Sequence, residues 1–584
     1  MCRRPVEGGR TARTSRRREI LGARAWSGFA ALPDRARLRA LRHEWQRILL
    51  LTALTGVVTG LAVAGFEGLT ARLLLEWLFR APVAAQAVIP AAGLCLAWIA
   101  LRVIGRGATP ATADEYIANF HDRKRPLPQR PAPSKVLASV ATLGAGGAMG
   151  FEGPSIYMGS VIGSFFEQRF RRFFSREDAK LLMVAGAAAG VSAIFKTPAT
   201  GAIFALEVPY QRDVAARSLL PALVASAVSY LTFVAVWGTT PILAGHGSPA
   251  FDLPDVLGAL AVGVFAGLGA RGFSVLIRAA KHSEPRLRSW QRLLLGGAGL
   301  AALVGVGSLL FSDTLLLGPG YRAIDWAADT RHGLALVAVL FLLRALATSL
   351  TVAGGGAGGL FIPLVVQGAL LGRMVGDVAD VHTASLFPLI GAAAFLGAGY
   401  RTPIAAVMFV AESTGRPGFV VPALLATVLA QLVMGRQSVT TYQQMSRAGH
   451  LERRLRLPVR TALTTDVRPC SPATPLTMVW DSQAGIPNPS PVPVVDDGQA
   501  VGLVSPDYAR KGASDDATTL TAADVMRTDV PVADGEWTLG TALAAMEASG
   551  SQLLPVAEHG KFVGVVTRRE IIRVDQILDE IEND

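Results

Sequence analysis

The residues whose types and spacing could do chemistry lie inside apolar surroundings. In "AGGGAGGLFIPLVVQG" (353–368), five of the six residues Gly354–Gly359 are glycine, and Phe361 and Pro363 then open a long apolar run. Glycine lets backbone come close to an ion. Proline early in a helix lacks the N–H that would otherwise go unpaired. A helix start exposes unsatisfied N–H groups and a partial positive charge, so residues 358–363 read as a helix start aimed at a bound anion. Close packing through small residues is the competing reading. It suits Ala187–Ala189 and Ala392–Ala394 but not a Gly-Gly-x-Phe-x-Pro boundary. Glu207 and Glu412 each close an apolar stretch. An acid at such a place is expensive, and the simplest expectation for both is a carboxylate near a helix end, paired with an arginine or a backbone N–H.

The elements that must position these residues follow from composition. Of 584 residues, 51% are hydrophobic and 17% charged, against roughly 25% charged in soluble proteins. Apolar stretches recur from about Ile48 to Met434, several approaching the roughly 20 residues of a spanning helix. The expected fold is an all-α polytopic membrane domain over 48–446. The net charge of +12 is concentrated at the start: residues 3–47 hold 13 Arg against 4 acids. The segment 1–47 reads as a cytoplasmic, lipid-facing flank rather than a nucleic-acid surface, and no signal peptide is evident. Cys2, Cys95 and Cys470 form no metal or disulfide pattern. The eight His are scattered, so no catalytic constellation suggests an enzyme.

The membrane part repeats itself. "GAAAGVSAIFKTPATGAIFALE" (186–207) aligns without gaps to "GAAAFLGAGYRTPIAAVMFVAE" (391–412), with 9 of 22 positions identical. Upstream, "GFEGPSIYMGSVIGSFF" (150–166) parallels "GGLFIPLVVQGALLGRM" (358–374). Repeat halves of about 48–240 and 254–446, each with a broken helix at the matching place, point to a transport site near the midplane. Such breaks are tolerated in lipid only where buried or facing water.

These motifs resemble the CLC family of chloride channels and proton-coupled chloride transporters, over nearly the whole chain from about Leu49. The resemblance implies an inverted repeat of broken, tilted helices and a homodimer with one pore per subunit. "GGLFIP" is similar to the family's GxFxP motif, which implies an anion site at Gly359, Leu360, Phe361 and Ile362. "GFEGP" resembles G[KR]EGP, making Glu152 the gating glutamate that competes with the anion. "QSVTTYQQ" resembles the family's last membrane helix, making Tyr442 the hydroxyl that contacts the central anion. Three departures stand out. The family's GSGIP loop becomes "GRGATP", so that, aligned on Pro110, Gly107 replaces the ligating serine, with Thr109 nearby. The second of two glutamates expected after Glu207, the inner proton acceptor of coupled members, is Val208. Phe151 stands where the family has Lys or Arg. Chloride is the first substrate implied, with nitrate, bromide or fluoride as alternatives. Val208 favours a passive, glutamate-gated anion channel, with a proton–anion antiporter using another inner relay as the alternative. A magnesium channel is disfavoured by the scarcity of intramembrane acids.

The polar tail, 457–584, resembles a pair of CBS domains, about 457–512 and 520–584, with β–α–β patterning at "SPVPVVD", "AVGLVS", "LLPVAE" and "FVGVVT". Such pairs can bind an adenine nucleotide, which places Thr567 and Glu570 at ribose-contact positions; a structural, dimer-forming pair is the alternative. No other cofactor and no metal is implied. The expected location is a bacterial inner membrane with both termini cytoplasmic.

Overall fold

A computed structural model describes residues 35–122, 125–174, 180–240, 243, 253–283, 286–378, 386–415, 418, 420–446, 454–483, 490–505 and 520–574. The chain divides into two units, one to Ser446 and one from Arg447.

In the first unit, α1 (Arg35–Glu67) runs through a π-helical stretch, Gly68–Leu75, into α2 (Glu76–Arg80). It is followed by α3 (Val83–Ile99), α4 (Ala113–His121), α5 (Ala132–Gly144), α6 (Glu152–Arg169), α7 (Leu181–Phe195), α8 (Pro198–Glu207) and α9 (Leu219–Trp237). The second half contains α10 (Leu253–Lys281), α11 (Ser289–Phe311), α12 (Tyr321–Ala328), α13 (Leu334–Ala353), α14 (Phe361–Val378), α15 (Leu386–Tyr400), α16 (Pro403–Thr414) and α17 (Val420–Met434). Among the described residues seven helices are long and apolar enough to cross a membrane, and α7, α15, α16 and α17 are apolar but only 10–17 residues long. Helices that short cannot span by themselves, which is the broken-helix architecture expected from the Gly and Pro interruptions. The basic segment 1–47 is not a separate piece throughout: α1 already begins at Arg35. "RARLRALRHEWQR" is rich in good helix formers and has no breaker, so the helix propagates through it. Residues 1–34 lie outside the described residues.

The two halves exchange equivalent bonds. Gly150 and Gly359 form a two-residue antiparallel bridge, with N–H···O distances of 2.9 and 2.8 Å. Thr351 Oγ1 accepts the Ala148 N–H and Thr142 Oγ1 accepts the Ala357 N–H, both at 3.1 Å. This pairing corrects the upstream repeat alignment by one residue. Gly150 matches Gly359, not Gly358, and Glu152 matches Phe361. The reason is local: Glu152 and Phe361 both open their helices, with Pro154 and Pro363 both in the third helical position.

The downstream motif is exchanged as well. Pro198 and Pro403 sit at the first helical position of α8 and α16, leaving the following N–H groups to find partners. Glu412 accepts from Ala199 and Thr200 N–H at 2.9 and 2.7 Å. Glu207 accepts from Ile404 and Ala405 N–H at 3.2 and 2.9 Å. Each acid lies in the last turn of one short helix and caps the start of its repeat mate. Stranding one buried N–H group costs about 1–3 kcal/mol, and stranding two about 2–6 kcal/mol. Glu412→Ala and Glu207→Ala are each expected to lose that much stability, read as a lower midpoint in thermal unfolding of the detergent-solubilised protein.

Small residues serve close crossing where the halves are packed internally. The Gly159 and Gly186 carbonyls each occupy the place a Cβ on the other would need, and Gly368 meets Gly391 in the same way. Ala187–Ala189 and Ala392–Ala394 are fully or almost fully buried.

The second unit is α/β. β1 (Leu463–Thr464), β4 (Ala533–Asp534), β5 (Leu553–Glu558) and β6 (Lys561–Thr567) form a sheet in the order β1-β6-β5-β4, while β2 (Val492–Asp496) and β3 (Gln499–Val504) form a separate hairpin. The strand from the first expected copy thus completes the sheet of the second. The larger core gathers Val459, Leu539, Met546, Leu554, Val556 and Val566, and the smaller one packs around the hairpin through Val492, Val494 and Val504.

Candidate functional site

The Gly150–Gly359 bridge brings two helix starts together, and Glu152 lies between them. It is fully buried, and its Oε1 accepts the Phe361 N–H at 2.5 Å across 209 residues of sequence. The Ile362 N–H is also directed at this carboxylate. Oε2 has no partner among the described residues. A Cβ at either Gly150 or Gly359 would overlap the carboxylate, so the seat exists only because both residues are glycine. The seat has the character expected of an anion site: an amide-lined, buried place at a helix start with, among the described residues, no fixed cation in bonding contact. The carboxylate occupies it as the protein's own anion.

The neighbouring amide faces a different group. The Leu360 N–H is directed at the hydroxyl of Tyr400, which is 2% exposed and close enough to Glu152 to feel its charge. Tyr400 ends α15, directly before the Arg401-Thr402-Pro403 start of α16. Aromatic rings surround Phe361: Phe195 at 4.6 Å, Phe409 at 4.9 Å, Phe204 at 5.2 Å and Tyr400 at 6.5 Å between ring centroids. The cage fixes the start of α14 and therefore the direction of its amides.

Of the residues expected to meet here, Gly359, Leu360, Phe361, Ile362 and Glu152 do so. Tyr442 does not: it is 53% exposed. After α17, Gly435 adopts a left-handed backbone (φ 67°), and Val439 is tied to the Gly399 carbonyl at 3.0 Å. The buried stretch there is Ser438–Thr440, and the chain has turned outward by Tyr442. The buried tyrosine comes instead from the second Thr-Pro motif, whose first-half counterpart, Phe195, has no hydroxyl. That asymmetry is the signal the sequence carried.

Gly107 and Thr109 also fall elsewhere. Both are exposed. Gly107 lines a separate cavity of about 130 Å³ with Arg102, Arg292 and Gly355, and the Thr109 hydroxyl accepts from Lys135 at 3.4 Å. The helix that follows this loop, α4, begins only at Ala113. The residue before it, Thr112, is buried and donates its hydroxyl to the Gly358 carbonyl at 3.1 Å. Thr112 also lies against Gly153, next to Glu152.

Val208 is 1% exposed, at the end of α8. Its carbonyl and that of Tyr400 both accept from the Gln443 side-chain amide, at 2.8 and 2.7 Å. Glu207 beside it has both oxygens engaged by α16 backbone N–H groups, the second of the two partner types expected of it. In the second unit, the Thr567 hydroxyl accepts the Glu570 N–H at 3.1 Å, and Glu570 pairs with Arg573 at 3.6 Å. Both side chains are engaged locally.

Two intertwined halves with broken helices, joined where a carboxylate fills an amide-lined seat, define a multi-pass membrane transport protein. The sequence model described as voltage gated chloride channel matches residues 92–435, and the chain belongs to this CLC family of transporters. The CBS domain model matches residues 522–576. The chain is similar to the H(+)/Cl(-) exchange transporter ClcA of Citrobacter koseri, 28% identical over 422 residues that cover 68% of this chain and 87% of that protein. It is similarly related to ClcA of Yersinia pestis, at 28% identity over 67% of this chain and 85% of that protein. Its fold matches a crystallised CLC-type fluoride/proton antiporter with a TM-score of 0.59 (23% identity, 69% of this chain, 98% of the other). It also matches a eukaryotic CLC transporter with a TM-score of 0.56 (17% identity, 90% and 98%).

Proposed function

We propose that the protein is a proton-coupled exchanger of a monovalent anion, chloride foremost, in which Glu152 is the moving part. The observation that carries this reading is the Glu152 carboxylate seated on the Phe361 amide. An anion arriving at the seat competes with the carboxylate for the same N–H donors. The displaced carboxylate takes up a proton, and its return to the seat after losing that proton expels the anion. Each cycle thereby links the two ions. The Phe361 and Ile362 amides and the Tyr400 hydroxyl are the donors that hold the anion, the Leu360 N–H orienting that hydroxyl, with Tyr400 in the role expected of Tyr442. The relatives named as H(+)/Cl(-) exchange transporters support coupling over passive conduction, which the sequence alone favoured.

A passive channel is the second reading, and Val208 is the observation behind it: a buried valine cannot carry a proton. Glu207, fully bonded to the start of α16, is a poor substitute. In the exchanger reading the proton therefore reaches Glu152 from that side through water. Reconstituted vesicles separate the two readings when anion and pH are recorded together. An imposed chloride gradient is expected to drive protons uphill and to shift the reversal potential with pH. Anion movement with no accompanying proton movement would instead establish the channel. Comparing chloride, nitrate and fluoride in the same assay assigns the anion. The protein is further proposed to work as a homodimer in a bacterial inner membrane with both termini cytoplasmic.

A further inference from the structure

A cavity of about 380 Å³ opens beside the gating residue and is lined by Phe151, Glu67, Arg72, Lys196, Tyr321 and Arg322, among others. Phe151 on its wall adjoins Glu152 in the chain, and Tyr321 on the same wall is within electrostatic reach of both Glu152 and Glu67, so the cavity lies next to the seat. The residue next to Glu152, Phe151, brings no charge; its ring packs edge-on against Phe66 at 6.2 Å. Any attraction for anions must come from other elements.

Three cations face the cavity, and two of them are matched. Arg322 forms two bonds to Asp313, at 2.7 and 2.8 Å. Arg72 pairs with Glu67 at 3.6 Å and lies over the Trp237 ring at 4.1 Å. Arg344, buried behind the wall, spends its guanidinium on the Leu315, Leu317, Gly318 and Pro319 carbonyls. Lys196 is different. Its ammonium donates to the Thr240 carbonyl at 3.0 Å, and among the described residues it has no ion pair. It feels Glu67, but Arg72 already holds that carboxylate.

The backbone of Lys196 is also telling. It closes α7 with φ 55°, a left-handed conformation in which glycine is the least strained residue. Strain of about 1 kcal/mol or more at such a position persists where something else requires the side chain. The repeat-related Arg401 has the same backbone, φ 59°, and is also a cation. The turn demands the left-handed geometry in both halves, and both halves place a cation there rather than glycine.

We infer that Lys196 is the anion-recruiting residue of this mouth, supplying from the end of α7 the positive potential that Phe151 does not. The cavity it lines is a loading vestibule for a small monovalent anion on its way to the Glu152 seat. This rests on the anion-transport reading above but not on proton coupling. A lone charge at the mouth of a low-dielectric cleft raises the local anion concentration and is screened by salt.

The test is anion current through the full-length protein in planar bilayers, with anion varied on one face at a time at low and at high ionic strength. Lys196→Gly and Lys196→Met are expected to raise the half-saturating anion concentration about three- to tenfold at low ionic strength. The effect is confined to one face, fades at high salt, and is reversed in Lys196→Arg. Lys196→Gly is also expected to unfold at a temperature no lower than the parent, because it relieves the backbone, which separates lost recruitment from lost folding. Half-saturation unchanged on both faces, or shifted equally on both, overturns the inference. Absence of anion current in the parent protein would overturn the transport reading instead.

Discussion

Glu152→Gln is expected to abolish proton movement while leaving an anion flux that no longer responds to pH. The isosteric amide can still accept the Phe361 N–H, but without charge. A charge-assisted bond of this kind contributes roughly 1.5–3 kcal/mol against about 1 for a neutral one. The difference, roughly 1–2 kcal/mol, lowers the side chain's hold on its seat by about tenfold. Anion therefore wins the competition more often, and nothing remains to carry a proton. In the parent protein, protonation of Glu152 weakens the same bond, so anion flux should rise as pH falls. The variant's profile should be flat. Vesicle flux measured across pH, with protons recorded in parallel, reads both effects. A variant that keeps the parental pH profile would remove Glu152 from the centre of the mechanism.

A second large effect is expected from a residue with no chemistry of its own. The three atoms nearest a methyl at Gly150 all belong to the Glu152 carboxylate. That carboxylate is the free end of a flexible side chain. Gly150→Ala should evict the intact acid from its seat and give fast anion flux at neutral pH, close to that of Glu152→Gln. Combining the two changes should add little, since both empty the same seat. A methyl at Gly359 would also stand 2.6 Å from the Gly153 backbone nitrogen. Gly359→Ala is therefore expected to disturb the bridge itself and to lower thermal stability together with flux. The contrast between the two glycines is the informative part. If Gly150→Ala retained a parental pH response, the carboxylate would be seated somewhere other than between the two bridged loops.

Much of this arrangement was legible along the chain. The Gly354–Gly359 run and Pro363 announced a helix start, and Phe361 turns out to donate its N–H to Glu152. The Thr-Pro repeats announced two equivalent short helices, and α8 and α16 follow. The acids Glu207 and Glu412 were expected near helix ends, paired with an arginine or a backbone N–H, and the structure selects the backbone. The failures occurred where residues had to be matched by counting. Tyr442 was assigned through the likeness of "QSVTTYQQ" to the family's last membrane helix, but the left-handed turn at Gly435 and the tie from Val439 to Gly399 put Thr440 inside and Tyr442 outside. Gly107 and Thr109 were chosen by aligning on a proline, whereas the helix starts three residues beyond it and Thr112 faces the site.

The sequence by itself determined the class of protein and the places where helices break, because apolar length, glycine freedom and the missing proline N–H act within a few residues of chain. It also determined that each half carries the same breaks. Only the tertiary structure decided which group fills each break. The Phe361 amide meets a carboxylate 209 positions away, α8 and α16 are each capped by an acid from the opposite half, and the cation without an ion pair among the described residues lining the cavity comes from the end of α7 rather than from the residue beside Glu152. Such pairings depend on how two halves cross in space, and hydrogen bonds and charges act through distances that local sequence does not specify.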